Sequence, residues 1–321
     1  MVFQTSRITR NEDAIHLIER FTIIAMRPAV ILLSFNSEDT LGATIKSALE
    51  VSDAVYVVDS YSQDGTVTLA TSLGAIVIQH PFEDYGAQRN WAIDNLPIAE
   101  SWQLHLDADE CMDSELVAAI KALPDETQHS GYFVARYFRF LGRVFRHGGM
   151  SPTWHLRLFR TGIGRCEDRK YDQHFLVTEG TTGSLPGSMV DDIRMSLAEW
   201  TTRHNRWADG EVAEIDSQIT AGRLRPDPNG NPAERKRFLR QKYNRLPLFV
   251  RPFVLFIYRY FFRLGILDGT EGLIFWVLQT FWFRFLVDAK LWEKRRSSSQ
   301  LRKLFPDKMA VPSRRIGSRP E

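Results

Sequence analysis

The chain has 321 residues, of which 44% are hydrophobic and 25% charged, and its formal net charge is +2 at pH 7. This length and composition provide for one large hydrophobic core plus an appendage. Cys111 and Cys166 have no metal-ligand spacing and suit a reducing compartment. The chain also lacks the sequence signatures of P-loop nucleotide hydrolases, α/β-hydrolases and zinc proteases, which excludes those classes of enzyme. Its sequence shows no internal repeat, which excludes repeat proteins.

Residues 1–28 are predicted to form an N-terminal extension. Its apolar stretch Ile15–Ile24 is interrupted by His16, Glu19 and Arg20. We expect this stretch to be too polar to span a bilayer, and it lacks a signal-peptide cleavage pattern.

Strand and helix patterns then alternate along the chain. Apolar runs predict strands at 29–35, 54–58, 75–78 and 102–106, and apolar residues at helical spacing predict helices at 38–49, before Gly74 and at 85–96. This alternation predicts an α/β fold with a mostly parallel sheet and right-handed crossovers. Because parallel strands end at one edge, Asn36, Asp59 and Asp107 should lie close together.

Two carboxylates, Asp107 and Asp109, directly follow the fourth predicted strand. Open α/β sheets bind ligands at this edge. Magnesium and manganese prefer oxygen ligands and are commonly held by one or two carboxylates plus substrate phosphates. The pair therefore predicts a site for a metal and a nucleotide, although Asp is also common in turns and helix caps.

Four motifs occur in a characteristic order. They are Ser34-Phe35-Asn36, Val57-Val58-Asp59-Ser60 followed by Asp64-Gly65-Thr66, Gly86-Ala87-Gln88-Arg89-Asn90, and Asp107-Ala108-Asp109-Glu110. Over roughly Ala29 to Asp209 the chain resembles the family 2 glycosyltransferases, in particular bacterial enzymes that build lipopolysaccharide cores and exopolysaccharides. The resemblance implies a GT-A fold, a nucleotide-diphosphate sugar donor with UDP-sugar favoured, Mg²⁺ or Mn²⁺, and inversion at the anomeric carbon.

The resemblance also implies roles for the first strand ends. Asp59 would contact the uracil or ribose of the donor, or alternatively cap the helix that starts near Asp64. Ser34 and Asn36 would belong to the first nucleotide-contacting loop, or form a plain turn.

The later motifs are assigned to the diphosphate and the metal. Gln88 and Arg89 would reach the diphosphate or ribose, or lie on a solvated helix face. Asp109 is the predicted metal ligand, and Asp107 is expected nearer the sugar or ribose while also contributing to the metal site.

The acceptor site and catalytic base are expected in the middle of the chain, after predicted strands at 131–140 and 154–160. An inverting transfer requires a carboxylate to remove the acceptor proton. Asp172 is the predicted base, with Glu167, Glu179, Asp191 and Asp192 as alternatives. Related lipopolysaccharide enzymes carry His-Glu near this point, where this chain has His174-Phe175, and Asp172 could instead pair with Arg169 or Lys170.

The segment Arg203-His204-Asn205-Arg206-Trp207 resembles an element of processive family members. Arg206 could neutralise the leaving diphosphate while Trp207 stacks on a sugar. His204, Asp191 or Asp192 could complete the metal sphere, although a lone histidine is more often structural. Without the membrane spans of a synthase, we expect one sugar per encounter.

The predicted organisation is a catalytic domain at 29–222, a linker at 223–233, a basic amphipathic helical segment at 234–293 and a disordered basic tail at 294–321. The basic segment interleaves cations with aromatic residues and has no acid between Arg235 and Arg263. It suits helices lying on an anionic leaflet; the alternative is packing on the catalytic domain or in a dimer.

Together these features predict a metal-dependent, inverting glycosyltransferase, peripheral on the cytoplasmic membrane face, that adds one sugar to a lipid-linked, lipopolysaccharide or exopolysaccharide acceptor. The alternative is a non-catalytic nucleotide-sugar-binding or scaffold protein of envelope polysaccharide assembly, which would need Asp59 and Asp109 but no base. No nucleic-acid-binding module accompanies the basic patches. The donor sugar, the acceptor, the linkage and the oligomeric state stay open.

Overall fold

The computed structural model describes residues 26–168, 172–216 and 225–304. Most of the predicted N-terminal extension, Arg169 to Tyr171 of the predicted acceptor loop, and the predicted tail beyond Leu304 lie outside the described residues. The described chain divides into two compact units. Among the described residues, the second unit contains His147–Gly149, 195–216 and 239–304, and the first unit contains 26–146, 150–168, 172–194 and 225–238.

The first unit begins with four strands that the sequence predicted. They are β1 (Ala29–Ser34), β2 (Val55–Asp59), β3 (Ile76–Gln79) and β4 (Trp102–Asp107), connected by helices α1 (Glu38–Leu49), α2 (Thr66–Ser72) and α3 (Tyr85–Asn95). The strands are parallel and lie in the order β3-β2-β1-β4. The predicted parallel α/β arrangement is confirmed for this half of the sheet.

Both faces of this half-sheet are covered, which explains its continuous apolar strands. Val30, Leu32 and Val57 pack on one face in a cluster that includes residues of α1. Ile31 and Val58 point to the opposite face and pack with residues of α3. The result is a layer of strands between layers of helices, with the strand ends left for the loops.

The other half of the sheet is mixed. Its elements are β5 (Glu110–Met112), α4 (Ser114–Ala122), β6 (Gly131–Phe140), β7 (Arg143–Val144), β8 (Thr153–Arg160), β9 (Gly164–Cys166), β10 (Phe175–Val177) and β11 (Thr182–Ile193). β8 is antiparallel to β4 and β6, and β5 is antiparallel to β11, whereas β6 and β11 are parallel. β9 and β10 form a separate antiparallel pair. The mostly parallel sheet predicted from sequence therefore describes the first four strands.

The second unit is helical. It contains α5 (Leu197–Asp216), the end of α6 (Pro232–Asn244), α7 (Arg251–Ile257), a π-helical turn (Tyr258–Phe262), a 3₁₀ turn (Gly265–Asp268), α8 (Gly269–Trp276), a second π-helical turn (Val277–Trp282) and α9 (Phe283–Leu304). Trp200, Trp276 and Phe283 are buried in it. Within the described residues, one helical stretch, Gly265–Ser297, is long and apolar enough to cross a membrane.

These units differ from the predicted boundaries. The predicted catalytic domain included α5, which belongs to the second unit, and the predicted basic segment began at 234, although residues up to Phe238 belong to the first unit. The tail predicted as disordered from Lys294 continues α9 as far as Leu304. Arg, Lys, Gln and Leu are strong helix formers, so a polar end can extend a helix that is anchored by packing earlier.

Candidate active site

Polar side chains mark the carboxyl ends of three neighbouring parallel strands. Ser34 at the end of β1 lies opposite Asp59 at the end of β2. Asp107 at the end of β4 lies opposite Leu33 of β1. Ligands bind outside this edge in open α/β sheets. The strand ends therefore meet as the sequence predicted.

Asp59 is fully buried, and both carboxylate oxygens accept hydrogen bonds. Oδ1 accepts from Ser34 Oγ at 3.0 Å and from Ser62 Oγ, and Oδ2 accepts from Ser62 N at 2.9 Å and Gln79 Nε2 at 3.2 Å. The acid near α2 that accepts from its first turn is Asp64, not Asp59. Asp59 thus holds β1, β3 and the loop after β2 together; its predicted contact with the donor stays a prediction.

Asn36 joins the two loops that follow β1 and β2. Its backbone N donates to Ser62 Oγ at 2.9 Å, and its Oδ1 accepts from Gln63 N at 2.8 Å. Its φ of 47° lies in the left-handed region, which Asn tolerates better than most residues. Asn36 is exposed at this edge of the sheet, and its predicted contact with the nucleotide stays a prediction.

Asp107 is held between two buried arginines. Arg89 Nη2 donates to its Oδ1 and also to Leu106 O at 2.9 Å, and Arg157 Nη2 donates to its Oδ2 at 2.9 Å. Burial opposes ionisation of Asp107, but the guanidiniums of Arg157 and then Arg89 hold its pKa well below the ordinary value. Asp107 is therefore a fixed carboxylate at the sheet edge.

Gln88 and Arg89 lie on the buried face of α3, so the solvated-face alternative is wrong for both: they are 1% and 3% exposed. Gln88 Oε1 contacts His80 Nδ1 at 2.7 Å, and its Nε2 donates to Ser60 Oγ at 3.3 Å. Both residues contact the ends of the strands from the buried side of α3. Their predicted contact with the diphosphate or ribose stays a prediction.

Glu110, the last residue of the fourth motif, lies in the site, although the sequence alone predicts no role for it. It is fully buried. Its Oε2 accepts from Asp107 N at 2.9 Å, and its Oε1 accepts from Arg157 Nη2 at 2.5 Å and Arg136 Nη1 at 3.2 Å. Glu110 therefore fixes both the turn and the arginines that hold Asp107.

Asp109 lies in the two-residue turn between β4 and β5, where it is half-buried. Its carbonyl accepts from Asp192 N at 3.0 Å, which ties this turn to β11. No group of three or more His, Cys, Asp or Glu residues among the described residues could hold a metal by itself. Carboxylate oxygens of Asp109 and Asp107 nevertheless suit Mg²⁺ or Mn²⁺ when substrate phosphates supply further oxygens.

Asp191 and Asp192, two alternative bases, reach the same edge on β11. Asp191 is the register partner of Glu110 in the β5–β11 pair, and Glu110 directly follows Asp109 in the chain. Burial first, and then the charges of Glu110 and Asp107 against the opposing effect of Arg136, raise the pKa of Asp191 to about 6. Asp192 accepts from Arg139 at 3.3 Å. Asp191 is thus a carboxylate with raised proton affinity near the turn that carries Asp109, and its predicted roles as base or metal ligand stay predictions.

Asp172, the predicted base, has two cationic partners. Lys236 Nζ donates to its Oδ1 at 2.8 Å, and Arg237 Nη1 donates to its Oδ2 at 3.2 Å. Its φ of 57° is unusual for a residue other than glycine. The backbone is held there because Arg237 Nη2 donates to Asp172 O at 2.6 Å. Its role as base stays a prediction.

The two glutamates proposed as alternative bases have contrasting positions. Glu167 is fully buried, and its Oε2 accepts from Arg237 Nη2 at 2.7 Å and His174 N at 3.0 Å. Burial, followed by the charge of Lys236, lowers the pKa of His174. Glu179 is exposed in the turn after β10. Glu167 is thus a structural anchor for the loop that carries Asp172.

The predicted element with Arg206 and Trp207 lies on α5 in the second unit. Arg206 is exposed, and the Arg203 guanidinium lies 5.2 Å from the Trp207 ring centroid. His204 is buried; its Nδ1 lies 2.8 Å from Trp200 O and its Nε2 lies 2.9 Å from Gln279 Oε1. Burial lowers the pKa of His204 to about 4. These contacts favour the structural alternative for His204, while the roles of Arg206 and Trp207 stay predictions.

More than half of the cations from Arg235 to Arg263 have acceptors within their own unit. Lys236 and Arg237 bind Asp172, Arg240 binds Glu211 at 2.6 Å, Arg251 binds Asp288 at 2.5 Å, and Arg259 donates to Gly148 O at 2.9 Å. The sequence shows no acid among these cations, but their partners come from distant segments. Part of the positive charge of the stretch is therefore paired within the protein, whereas Arg235, Lys242, Arg245 and Arg263 are exposed. Its predicted place on an anionic leaflet stays a prediction.

Comparison with known proteins identifies the first unit's family. Residues 29–175 match the family profile described as Glycosyl transferase family 2. The chain is 27% identical over 201 residues to the lipopolysaccharide core biosynthesis glycosyltransferase LpsC of Rhizobium meliloti, covering 60% of this chain and 72% of LpsC. It is 34% identical over 159 residues to an uncharacterized glycosyltransferase of Rickettsia prowazekii, covering 50% of this chain and 51% of the relative.

Solved structures show more distant likenesses. Glucosyl-3-phosphoglycerate synthase from Mycobacterium tuberculosis, crystallised with Mn²⁺, UDP and phosphoglyceric acid, is 13% identical with a TM-score of 0.39, covering 61% of this chain and 80% of that one. TarS of S. aureus is 17% identical with a TM-score of 0.37, covering 61% of this chain and 41% of TarS.

Proposed function

Because the chain is a glycosyltransferase of family 2, we propose that it moves one sugar from a nucleotide-diphosphate sugar, with a UDP-sugar favoured, to an acceptor hydroxyl with inversion. The observation that carries the proposal is the convergence of Ser34, Asp59 and Asp107 at one sheet edge. This edge offers fixed carboxylates and an exposed loop at Asn36 for the polar groups of a nucleotide.

A divalent metal fits the donor chemistry of this edge. Asp109, with Asp107 beside it, would hold Mg²⁺ or Mn²⁺ through carboxylate oxygens, and the bound ion would offset negative charge on the donor diphosphate. Arg89 and Arg157 fix the orientation of Asp107 so that its position does not depend on a ligand. The polypeptide thereby supplies a preorganised site rather than one assembled by the nucleotide.

For the base, we place Asp191 ahead of Asp172. Transfer forms a bond between the acceptor oxygen and the anomeric carbon, breaks the bond to the diphosphate oxygen, and moves the acceptor proton to a carboxylate. A base works best when its pKa lies near the working pH, and that of Asp191 is raised to about 6. Asp172 is paired with Lys236 and Arg237, and Asp191 is paired with Arg136, whose Nη1 lies 3.5 Å from its Oδ2.

The acceptor class is proposed from two supports. LpsC, which acts in lipopolysaccharide core biosynthesis, aligns with 60% of this chain. The second unit also exposes large apolar side chains such as Phe261 and Phe262. We therefore infer a lipid-linked, lipopolysaccharide or exopolysaccharide acceptor, and a peripheral position on the inner face of the cytoplasmic membrane, next to its anionic lipids.

The testing experiment measures nucleotide release from UDP- and GDP-sugars, with and without Mn²⁺. Asp109→Asn should reduce Mn²⁺-dependent release by at least about a hundredfold and weaken donor binding in calorimetry. Asp191→Asn should slow transfer on the order of a hundredfold with donor binding intact. Glu115→Gln is the matched control, since this exposed carboxylate on α4 is not among the candidate bases and should leave both quantities unchanged.

Three outcomes would contradict parts of this proposal. Unchanged donor affinity in Asp109→Asn would remove it as the metal ligand. Normal transfer by Asp191→Asn together with loss in Asp172→Asn would return the base role to Asp172. Tight donor binding without transfer to any acceptor, unaffected by either base variant, would support a non-catalytic nucleotide-sugar-binding protein.

A further inference from the structure

The second unit exposes apolar side chains around the turn between two helical segments. More of the exposed large apolar side chains lie between residues 246 and 277 than in the whole first unit. We name as the apolar tip the residues Phe253 (50% exposed), Ile257 (46%), Phe261 (52%), Phe262 (76%), Leu264 (51%) and Leu267 (54%). Soluble surfaces rarely expose apolar groups so close together unless they meet a partner.

Polar contacts inside the second unit fix the backbone of this turn. Asp268, 2% exposed, contacts His147 Nδ1 at 2.8 Å. Gly148 N donates to Arg263 O at 2.8 Å, and a Cβ at Gly148 would lie 2.0 Å from the Trp276 ring. These contacts hold the backbone of the turn that presents the apolar tip.

Two cations near the apolar tip have partners inside the second unit. Arg251 is buried against Asp288, and Arg259 donates to the Gly148 carbonyl. Arg251 and Arg259 therefore contribute to the packing of the second unit rather than to attraction by an anionic surface. Arg263, between Phe262 and Leu264, is exposed, so the apolar tip carries a cation among its apolar side chains. The hydrophobic contact that the tip offers is the part of a membrane interaction that salt does not screen.

We propose that the apolar tip inserts into the outer part of one lipid leaflet and that this insertion, more than cationic attraction, holds the protein on a membrane. The exposed residues occur both along one side of residues 253–261, at a spacing of four, and around the end of the turn. A flat protein partner would cover one side only, whereas lipid can surround an end.

Length and hydrogen bonding suit a shallow insertion. At a rise of about 1.5 Å per residue, residues 251–262 extend about 18 Å, which is too short to cross a hydrocarbon core of about 30 Å. Their helical hydrogen bonds satisfy the backbone, as lipid requires. The inference deepens the proposed function, because it gives the enzyme access to a lipid-linked acceptor, but its test needs no acceptor.

The test is flotation of the full chain with liposomes of phosphatidylcholine alone or with about one third phosphatidylglycerol, at about 0.05 and 0.5 M salt. Phe262→Ser with Leu267→Ser removes apolar surface without changing charge. Lys242→Gln with Arg245→Gln is the matched control, which removes two exposed cations. We expect wild type to float with both lipids at both salt concentrations, the apolar variant to bind at least tenfold less, and the charge variant to change less than twofold.

Circular dichroism and thermal unfolding show that each variant is folded and do not depend on the proposed function. Equal flotation of wild type and the apolar variant would overturn the proposal. So would release of wild type by salt together with loss in the charge variant, which would restore the cationic mode. A shift of the apolar variant from dimer to monomer in light scattering, with flotation unchanged, would make the apolar tip a contact between copies.

Discussion

The sheet edge of the first unit and the apolar tip of the second depart from the usual distribution of side chains in opposite directions. At the sheet edge, Asp59 and Glu110 are fully buried and Arg89 is 3% exposed. At the apolar tip, Phe262 is 76% exposed and Leu267 is 54% exposed. Buried charges and exposed apolar groups are the two informative exceptions to hydrophobic burial, so each region points to an interaction.

The two regions differ in what compensates for the buried charges of the one and the exposed apolar groups of the other. Each carboxylate at the sheet edge has protein partners, for example Arg157 for both Asp107 and Glu110. That region is complete as a scaffold and needs a ligand only for its reaction. The apolar tip has polar contacts within the second unit, whereas its apolar side chains are exposed, and the proposed lipid leaflet would cover them.

The largest expected effect is on stability and comes from breaking the buried network at the sheet edge. Glu110→Ala leaves Arg157 and Arg136 without a carboxylate that lies between them. Removing one partner from a buried ion pair typically costs about 3–5 kcal/mol. Urea unfolding should show this loss, whereas Glu110→Gln, which keeps acceptor and shape, should lose less. Equal stability of Glu110→Ala and wild type would show that the network contributes only orientation.

The second expected effect is an increase in stability. The pKa of Asp191 is raised to about 6, so its contribution to stability is full below the unfolded pKa near 4 and is lost as pH rises through about 6. Asp191→Asn, which cannot ionise, should therefore be more stable than wild type at pH 8 by up to about 3 kcal/mol. Thermal unfolding at pH 4 is the control, where the two should coincide. A variant less stable than wild type at pH 8 would show that the ion pair with Arg136 dominates.

Much of the first unit follows from local sequence patterns. Apolar runs and the residues that end them located β1, β2 and β4, and with them the convergence of Ser34, Asp59 and Asp107. These elements were predictable because strand periodicity and the parallel arrangement depend on short-range order.

What the sequence could not provide is long-range pairing. Arg157 follows Asp107 by 50 residues in the chain, and nothing in the local pattern of either residue indicates the partner. The same limit affected the cations after Arg235, whose acids Asp172, Glu211 and Asp288 lie in other segments. Counting charge along a segment overstated its surface charge for this reason. The sequence shows the aromatic residues of this segment, but their exposure depends on packing and could not be predicted from it.

A smaller effect concerns the donor. Asp59 has four hydrogen bonds from side-chain and backbone groups that position the loops around Asn36 and Ser62. Asp59→Asn replaces an acceptor by a donor and should weaken donor binding about tenfold, consistent with loss of a charge-assisted hydrogen bond. Calorimetry with UDP measures this. Gln79→Ala, which removes only the 3.2 Å contact, should change the affinity less than threefold.

If Asp59→Asn binds UDP normally while only acceptor binding weakens, the assignment of this edge to the nucleotide is wrong. A parallel loss in Ser62→Ala would show that Asp59 acts by positioning the loop, since that variant leaves the carboxylate in place.

The smallest expected effect separates the two candidate bases. Lys236 pairs with Asp172 at 2.8 Å, and its side chain is 43% exposed. Surface ion pairs contribute about 0–1 kcal/mol, so Lys236→Met should barely change urea unfolding. If Asp191 is the base, transfer at pH 8 should also stay within twofold of wild type, because Asp191 interacts with Arg136 and Glu110 instead. A change in transfer rate of tenfold or more, with donor affinity and stability unchanged, would show that the charge around Asp172 controls the reaction and would return the base role to that residue.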